Sequence, residues 1–440
     1  MPSPLSRRQF LAGAVGAGAA GAGALTWAVA NANPPAHRAA PAGRAAGTSL
    51  THGSGTLVLI TLYGGNDGLN TVIPYHDPAY LAGRGALGYQ PGEVLSLNAD
   101  LALHPNLSGL KSLWDAKQLA VVLGVGYPNP NRSHFRSMDI WQSGVPDRAE
   151  TTGWVGRWLD NAGQDPLLAL SLGSTLPRLA IGAQRSAGAV PGGNLMLPGG
   201  ARLTSVFDAL ERPFAGEAAL AAAAAQSGQD LLTVSRTVGH VLASQPDTSV
   251  GASNLEPAGT SPTTTTPGAA GSPSARPSGG GRASTLGAQL DVVARLIKGG
   301  ASTRLYSLSL GGFDTHAAEK DGHARLMGEL GSGIAAFLQS LASDPAGDRV
   351  VVMTYSEFGR RVAANASGGT DHGTAAPVFI TGAAVKGGFY GEQPSLTDLD
   401  GGDLKFTTDF RSVYATMLDR VLGVDPASVL GGKFADLALV

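Results

Sequence analysis

Four short motifs concentrate the side chains able to do chemistry. Asp67 lies in Gly64-Gly65-Asn66-Asp67-Gly68, and Asp314 and His316 in Gly311-Gly312-Phe313-Asp314-Thr315-His316. Glu357 lies in Tyr355-Ser356-Glu357-Phe358-Gly359-Arg360, and Asp371 and His372 in Gly369-Thr370-Asp371-His372-Gly373. Carboxylates and imidazoles brought to one point repel or desolvate one another unless a cation joins them, which makes a divalent metal the natural partner. On an extended segment the i, i+2 spacing of Asp314 and His316 puts both side chains on one face, suited to one ion. Glycines around Asp67 let the chain turn sharply and leave room beside the carboxylate.

Each motif also has a plainer reading. Asn66-Asp67-Gly68 is a good turn sequence without any function. Glu357 ends an apolar run, where a carboxylate must be paired, solvated or metal-bound, and Arg360 or Arg361 could pair it. Asp371 could simply orient His372, although a histidine so held is often itself a ligand. His323 reads as a solvated helix residue, and His104 and Asp139 as structural.

A fifth segment, Asn129 to Ser137, leads into a helix ending near Gly144. Ser133 falls at the helix start, where backbone N–H groups stabilise a developing anion. It could equally be a plain N-cap. Arg132 and Arg136 beside it suit an anionic substrate such as a phosphate or sulfate ester.

These motifs need a scaffold that gathers them. Continuous apolar runs at Thr56–Leu62, Leu119–Val125, Leu305–Leu310, Arg349–Tyr355 and Ala376–Gly382 read as strands covered on both faces. Helical spacing recurs over 107–113 and 328–341. Strands alternating with helices predict an α/β/α sandwich with a largely parallel central sheet, whose strand carboxyl ends collect distant residues along one edge.

The ends and composition bound the rest. Ser6-Arg7-Arg8-Gln9-Phe10-Leu11 before a Gly/Ala-rich apolar stretch reads as a twin-arginine export signal over 1–32. An extracellular or cell-envelope location follows, with no membrane span unless the signal is kept as an anchor. Residues 33–54 read as a Pro/Ala/Gly-rich tether, 55–440 as one domain, and about 245–283 as a disordered low-complexity insertion. The 440 residues contain no cysteine, so disulfides, thiolate metal sites and cysteine nucleophiles are excluded. A formal charge of -2 without a basic block argues against nucleic acid as a partner.

With these motifs assembled, the chain resembles the exported bacterial family known as domain of unknown function 1501, from the twin-arginine signal through all the motifs above. More distantly it resembles the alkaline phosphatase and sulfatase superfamily. That resemblance implies an alkaline phosphatase-like fold, one or two divalent metals, and a Ser or Thr nucleophile at a helix start. By motif, Asp67 matches the carboxylate after the first strand, Ser133 or His134 the nucleophile position, and Asp314, His316 and His372 the later ligands. The chain departs where Ser356-Glu357 replaces the superfamily's usual Asp-His pair, and where Asp314 and His316 stand closer than usual.

The expectation is an exported metal-dependent hydrolase of a small anionic ester. Asp67, Asp314, His316, Glu357, Asp371 and His372 are its candidate ligands for zinc, manganese or magnesium. Ser133, His134 and Arg132 are its candidate catalytic residues. The alternative is a catalytically degenerate, metal-stabilised binding or assembly protein with a partner in the cell envelope. A lipase-like serine hydrolase is disfavoured, because no Gly-x-Ser-x-Gly elbow follows a strand.

Overall fold

The first strand, β1 (Thr56–Tyr63), alternates its apolar side chains between two buried faces, Leu57 and Leu59 to one side and Val58, Ile60 and Leu62 to the other. The same double burial recurs in β2 (Leu119–Gly126), β5 (Leu305–Gly311), β6 (Val350–Ser356) and β7 (Ala376–Thr381), with short strands β3 (Ala169–Ser171), β4 (Gly188–Ala189), β8 (Gly388–Tyr390) and β9 (Thr408–Asp409) completing the sheet. In this computed structural model residues 50–191, 219–244 and 285–440 are described. The expected signal, most of the tether and the 245–283 insertion lie outside them. The last tether residues are part of the fold, since the Gly53 N–H donates to the Arg420 carbonyl at 3.1 Å.

The chain divides into two compact units, residues 1–43 with 197–232 and residues 44–196 with 233–440. Of the first, only 219–232 are described, as the opening of a helix. Everything below concerns the second.

The strand order is β8-β2-β7-β6-β1-β5-β3-β4, with β9 also pairing with β2. Among the described residues eight strands of this sheet share one direction and β7 runs against its neighbours β2 and β6. The sheet is thus largely parallel, as expected. The reversal of β7 has a local use: its first residues lie at the edge where the other long strands end, so a motif that precedes β7 meets motifs that follow them.

Helices cover both faces. On one side, helices at Ser108–Asp115, Leu286–Lys298 and Glu319–Leu341 pack Leu110, Leu290, Val293, Met327, Leu330 and Ile334 against the sheet. On the other, helices at His134–Ser143, Trp154–Ala162 and Phe410–Thr416 bring Trp141, Trp154, Phe410 and Tyr414 together, with Trp154 stacked on Tyr414 at 4.7 Å between ring centroids. The fold is therefore the expected α/β/α sandwich. The helix expected over 328–341 begins at Glu319, because Lys320, Asp321 and Gly322 interrupt the apolar stripe without ending the helix.

Gly64 closes the frame between β1 and β5. Its φ is +119°, and a Cβ there would stand 2.3 Å from the Asp314 backbone nitrogen. Glycine is required by both conformation and space. Gly64→Ala should cost about 2–4 kcal/mol and push the Asp314 turn outward. Chemical denaturation checks this; a loss below about 0.5 kcal/mol would show that the two loops do not depend on that contact.

Candidate metal centre

Asp314 follows β5 through Gly312, whose φ is +107°. His316 stands two residues further on. His372 ends a short hairpin of Arg360–Ala364 against Thr370–His372, just before β7. His134 is the first residue of the helix His134–Ser143. The Oδ1 atom of Asp314 lies 3.0 Å from His316 Nε2, 3.1 Å from His372 Nε2 and 3.4 Å from His134 Nε2. His134, Asp314 and His372 each offer a ligand atom within 4.8 Å of the others.

Each imidazole is held from behind. His134 Nδ1 meets Glu357 Oε1 at 2.9 Å, His372 Nδ1 meets the Arg132 carbonyl at 2.8 Å, and His316 Nδ1 lies 3.6 Å from Asp371 Oδ1. Acceptors at Nδ1 fix the tautomer that leaves the Nε2 lone pair free, as in metal-ligating histidines. His316 Nε2 and His372 Nε2 are 2.9 Å apart, so a proton or a cation must separate their lone pairs. His134 Nε2 is buried and has no hydrogen-bond partner among the described residues. This donor set fits a divalent cation.

Glu357 is placed behind this group. Its Oε1 accepts from His134 and from the Gly64 N–H at 2.8 Å, while the Ser356 hydroxyl reaches its Oε2 at 3.2 Å. The proposed pairing of Glu357 with Arg360 or Arg361 does not occur. Arg361 meets Asp403 at 3.2 Å. Arg360 is fully buried and donates to the carbonyls of Gly64, Gly65, Phe313 and Thr370, and to Asp314 Oδ1 at 2.9 Å.

Asp67 has a different partner altogether. It is fully buried, with Arg84 Nη2 at 2.6 Å from its Oδ1, and does not join the His134–Asp314–His372 group. Glu319 and His323 complete this second cluster, with Asn66 Oδ1 3.0 Å from His323 Nε2. His323 is buried, not solvated, because it continues the stripe of Met327, Leu330, Ile334 and Phe337 along its helix. That spacing was the available signal. Nothing in the sequence marked Arg84 or Glu319. His104 is structural as expected, 2.7 Å from the Tyr89 hydroxyl.

Of the catalytic candidates, Ser133 is the helix N-cap residue but its side chain makes no capping bond. Arg132 gives its carbonyl to His372 and its guanidinium, at 3.3 Å, to Asp403. His134 sits with the ligand-type residues.

The electrostatics separate these groups. The Glu357 hydrogen bond raises the pKa of His134, whereas burial lowers that of His372. Burial alone would raise Asp314, but hydrogen bonds from Arg360 and His372 outweigh it and hold the carboxyl at about 2. In the second cluster burial, opposed by Arg84, still leaves Asp67 low, while burial and the Asp67 charge push Glu319 up to about 8. Of these two carboxyls Glu319 is thus the one held protonated, beside the Asp67–Arg84 ion pair.

Residues 262–436 match the family profile described as "Protein of unknown function (DUF1501)". The Asp314, Glu357 and His372 motifs lie inside that span; Asp67 and Arg132–His134 lie before it. No curated protein matches the sequence. Among solved structures the chain is similar to a protein in the alkaline phosphatase superfamily from Vibrio parahaemolyticus, at 10% identity over 89% of this chain and 73% of that chain, TM-score 0.39. It is also similar to the lipoteichoic acid synthase LtaP from Listeria monocytogenes (9% identity, 87% and 75%, TM-score 0.34). A third is the phosphonate monoester hydrolase of Agrobacterium radiobacter (11%, 86% and 78%, TM-score 0.31).

The buried carboxyl pair has a measurable consequence. Glu319 keeps its proton in the fold up to about 8, whereas a free glutamate releases it near 4.5. Its contribution to stability is complete below the lower value and is lost as pH climbs through the upper one. Glu319→Gln carries its hydrogen at every pH, so the melting temperature of wild type relative to this variant should fall between about pH 5 and about pH 9. A constant difference across that range would mean that Glu319 is ionised in the fold.

Proposed function

We propose that this chain is an exported hydrolase of a phosphate or sulfate ester that works with a single divalent cation held by His134, Asp314, His316 and His372. The observation that carries the proposal is the convergence of three imidazole Nε2 atoms on Asp314 Oδ1, each ring with an acceptor at or near its Nδ1. The twin-arginine motif at Arg7-Arg8 supports export.

One cation, not two, is proposed because the carboxylate expected to hold a second, Asp67, is already neutralised by Arg84 in a fully buried pair. Glu357 and Asp371 then act as orienting groups for His134 and His316. Imidazole-rich ligation with one carboxylate suits zinc or manganese better than magnesium, which prefers oxygen ligands and retains waters.

When bound, the cation would neutralise the ester oxygens and lower the pKa of the attacking hydroxyl or water. The chain's own residues do the rest. Ser133 starts the helix whose first residue is His134, so its hydroxyl stands at the positive end of that helix, where anionic oxygens are favoured. Ser133 is an exposed residue, and its Oγ is the proposed nucleophile. Arg132, half exposed and steadied by Asp403, is the proposed clamp on the remaining anionic oxygens. Asp314, ionised down to about 2, remains an anion throughout the working range.

Purified protein should carry one zinc or manganese per chain, and Glu357→Gln should weaken that affinity about 10–100-fold, as loss of an orienting partner does. Because the Glu357 bond raises the pKa of His134, protons should compete with the cation from a higher pH than for a free histidine, and Glu357→Gln should move that competition to lower pH. Titration against a chelating indicator from about pH 5.5 to about pH 8 reads both effects. A panel of phosphate and sulfate esters tests turnover, with Ser133→Ala expected to lower kcat by about 1000-fold or more. Full cation content with no turnover on any ester would favour a binding or assembly role in the envelope instead.

A further inference from the structure

A cavity of about 400 Å³ opens beside the proposed centre. The two share a wall. Phe358 lines the cavity, and its ring also packs against His134 at 5.0 Å and His372 at 4.6 Å between centroids. They also share a loop, since Tyr127, Asn129, Pro130 and Asn131 line the cavity and the next residue, Arg132, holds His372. Asp403 forms part of the lining and pins both Arg132 and Arg361. An ester whose anionic head sits among the imidazoles and Arg132 therefore has this cavity next to it for its alcohol portion.

The lining defines the class of alcohol. Phe406, 37% exposed, gives the open aromatic surface, and Tyr127 and Phe358, both buried, back the wall. Asn129, Asn131 and Asp400 add amide and carboxylate groups. Asn129 is exposed at φ 54°, and Asp400 is exposed at the end of the Leu399–Asp400 strand. Amides both donate and accept, and a carboxylate only accepts, so together they suit hydroxyl groups. Flat rings suit the apolar face of a carbon ring. Lys405 of the lining lies against Asp398, Arg361 lies against Asp403, and Arg132 is assigned to the anionic head. A second anionic group would face the Asp400 carboxylate. The size is within the range of small-molecule sites.

We propose that this cavity binds a neutral, polyhydroxylated ring, of the sugar or cyclitol class, as the alcohol portion of the ester. The proposal rests on the hydrolase reading for the word "ester", but the cavity's preference for such rings is testable without turnover. Full-length protein loaded with zinc or manganese is titrated with a neutral methyl hexoside, with inositol and with a linear hexanol, using ligand-observed NMR. Wild type should bind the cyclic polyols and not the linear alcohol, and Asn129→Ala and Phe406→Ala should each weaken that binding at least five-fold. In the kinetic arm, the ratio of kcat/KM for a hexose monophosphate to that for methyl phosphate should fall about ten-fold in both variants. Phe406 is partly exposed, so its variant should melt like wild type; Asn129 has a positive φ that alanine disfavours, so Asn129→Gly, which also removes the amide, serves as the matched control. Polyol binding that responds to these substitutions without turnover of any ester supports the cavity assignment and removes the hydrolase reading. Polyol binding and rate ratios unchanged in both variants, or a preference for the linear alcohol, would overturn the assignment.

Discussion

One buried guanidinium holds the working edge of this protein together. Arg360 donates to carbonyl groups after β1, after β5 and on the hairpin before β7, and to the Asp314 carboxylate. A charge this deeply buried is tolerable only when every donor is met, and the planar fork of arginine meets several acceptors at once. Lysine could not span these loops. Because the same side chain touches Asp314 and the backbone around Gly64, the position of the carboxylate and the closure of the sheet edge are one problem with one solution.

Direction in the sheet is the second constraint. Asp314 and Glu357 stand after their strands, whereas His372 stands before its own, and all reach one edge because β7 is reversed. The apolar runs predicted the five long strands and their limits well, since burial on both faces leaves a continuous signature that needs no tertiary information. They could not reveal the reversal, because a hydrophobic run reads the same in both directions. The α/β/α class was therefore legible while the pairing that makes the site was only half so.

The site itself was legible in residue type more than in role. Glycine-flanked carboxylates and histidines singled out these loops, and Asp314, His316 and His372 do meet. The roles of Asp67 and Glu357 depended on which cation or imidazole reached them. Arg84 lies 17 residues beyond Asp67 on a separate helix, and nothing in its local sequence distinguishes it from a surface arginine. His134 meets Glu357 across 223 residues. Such pairings come from loop geometry, which leaves no periodic trace. His323 differs: it reads as solvated, yet its spacing to Met327, Leu330 and Ile334 carries the trace that puts it in the core.

The two arginines also bear on the order of events in the life of the molecule. Arg84 and Arg360 supply positive charge from within the chain, so the carboxylates nearest the sheet are neutralised as soon as the polypeptide collapses. The imidazoles, by contrast, gather at a mouth where about half of the Asp314 side chain still faces solvent. On the proposed reading, uptake of a cation would thereby be separate from folding: a finished scaffold could be charged, stripped and recharged from outside, much as an ion-exchange bead is, without being taken apart.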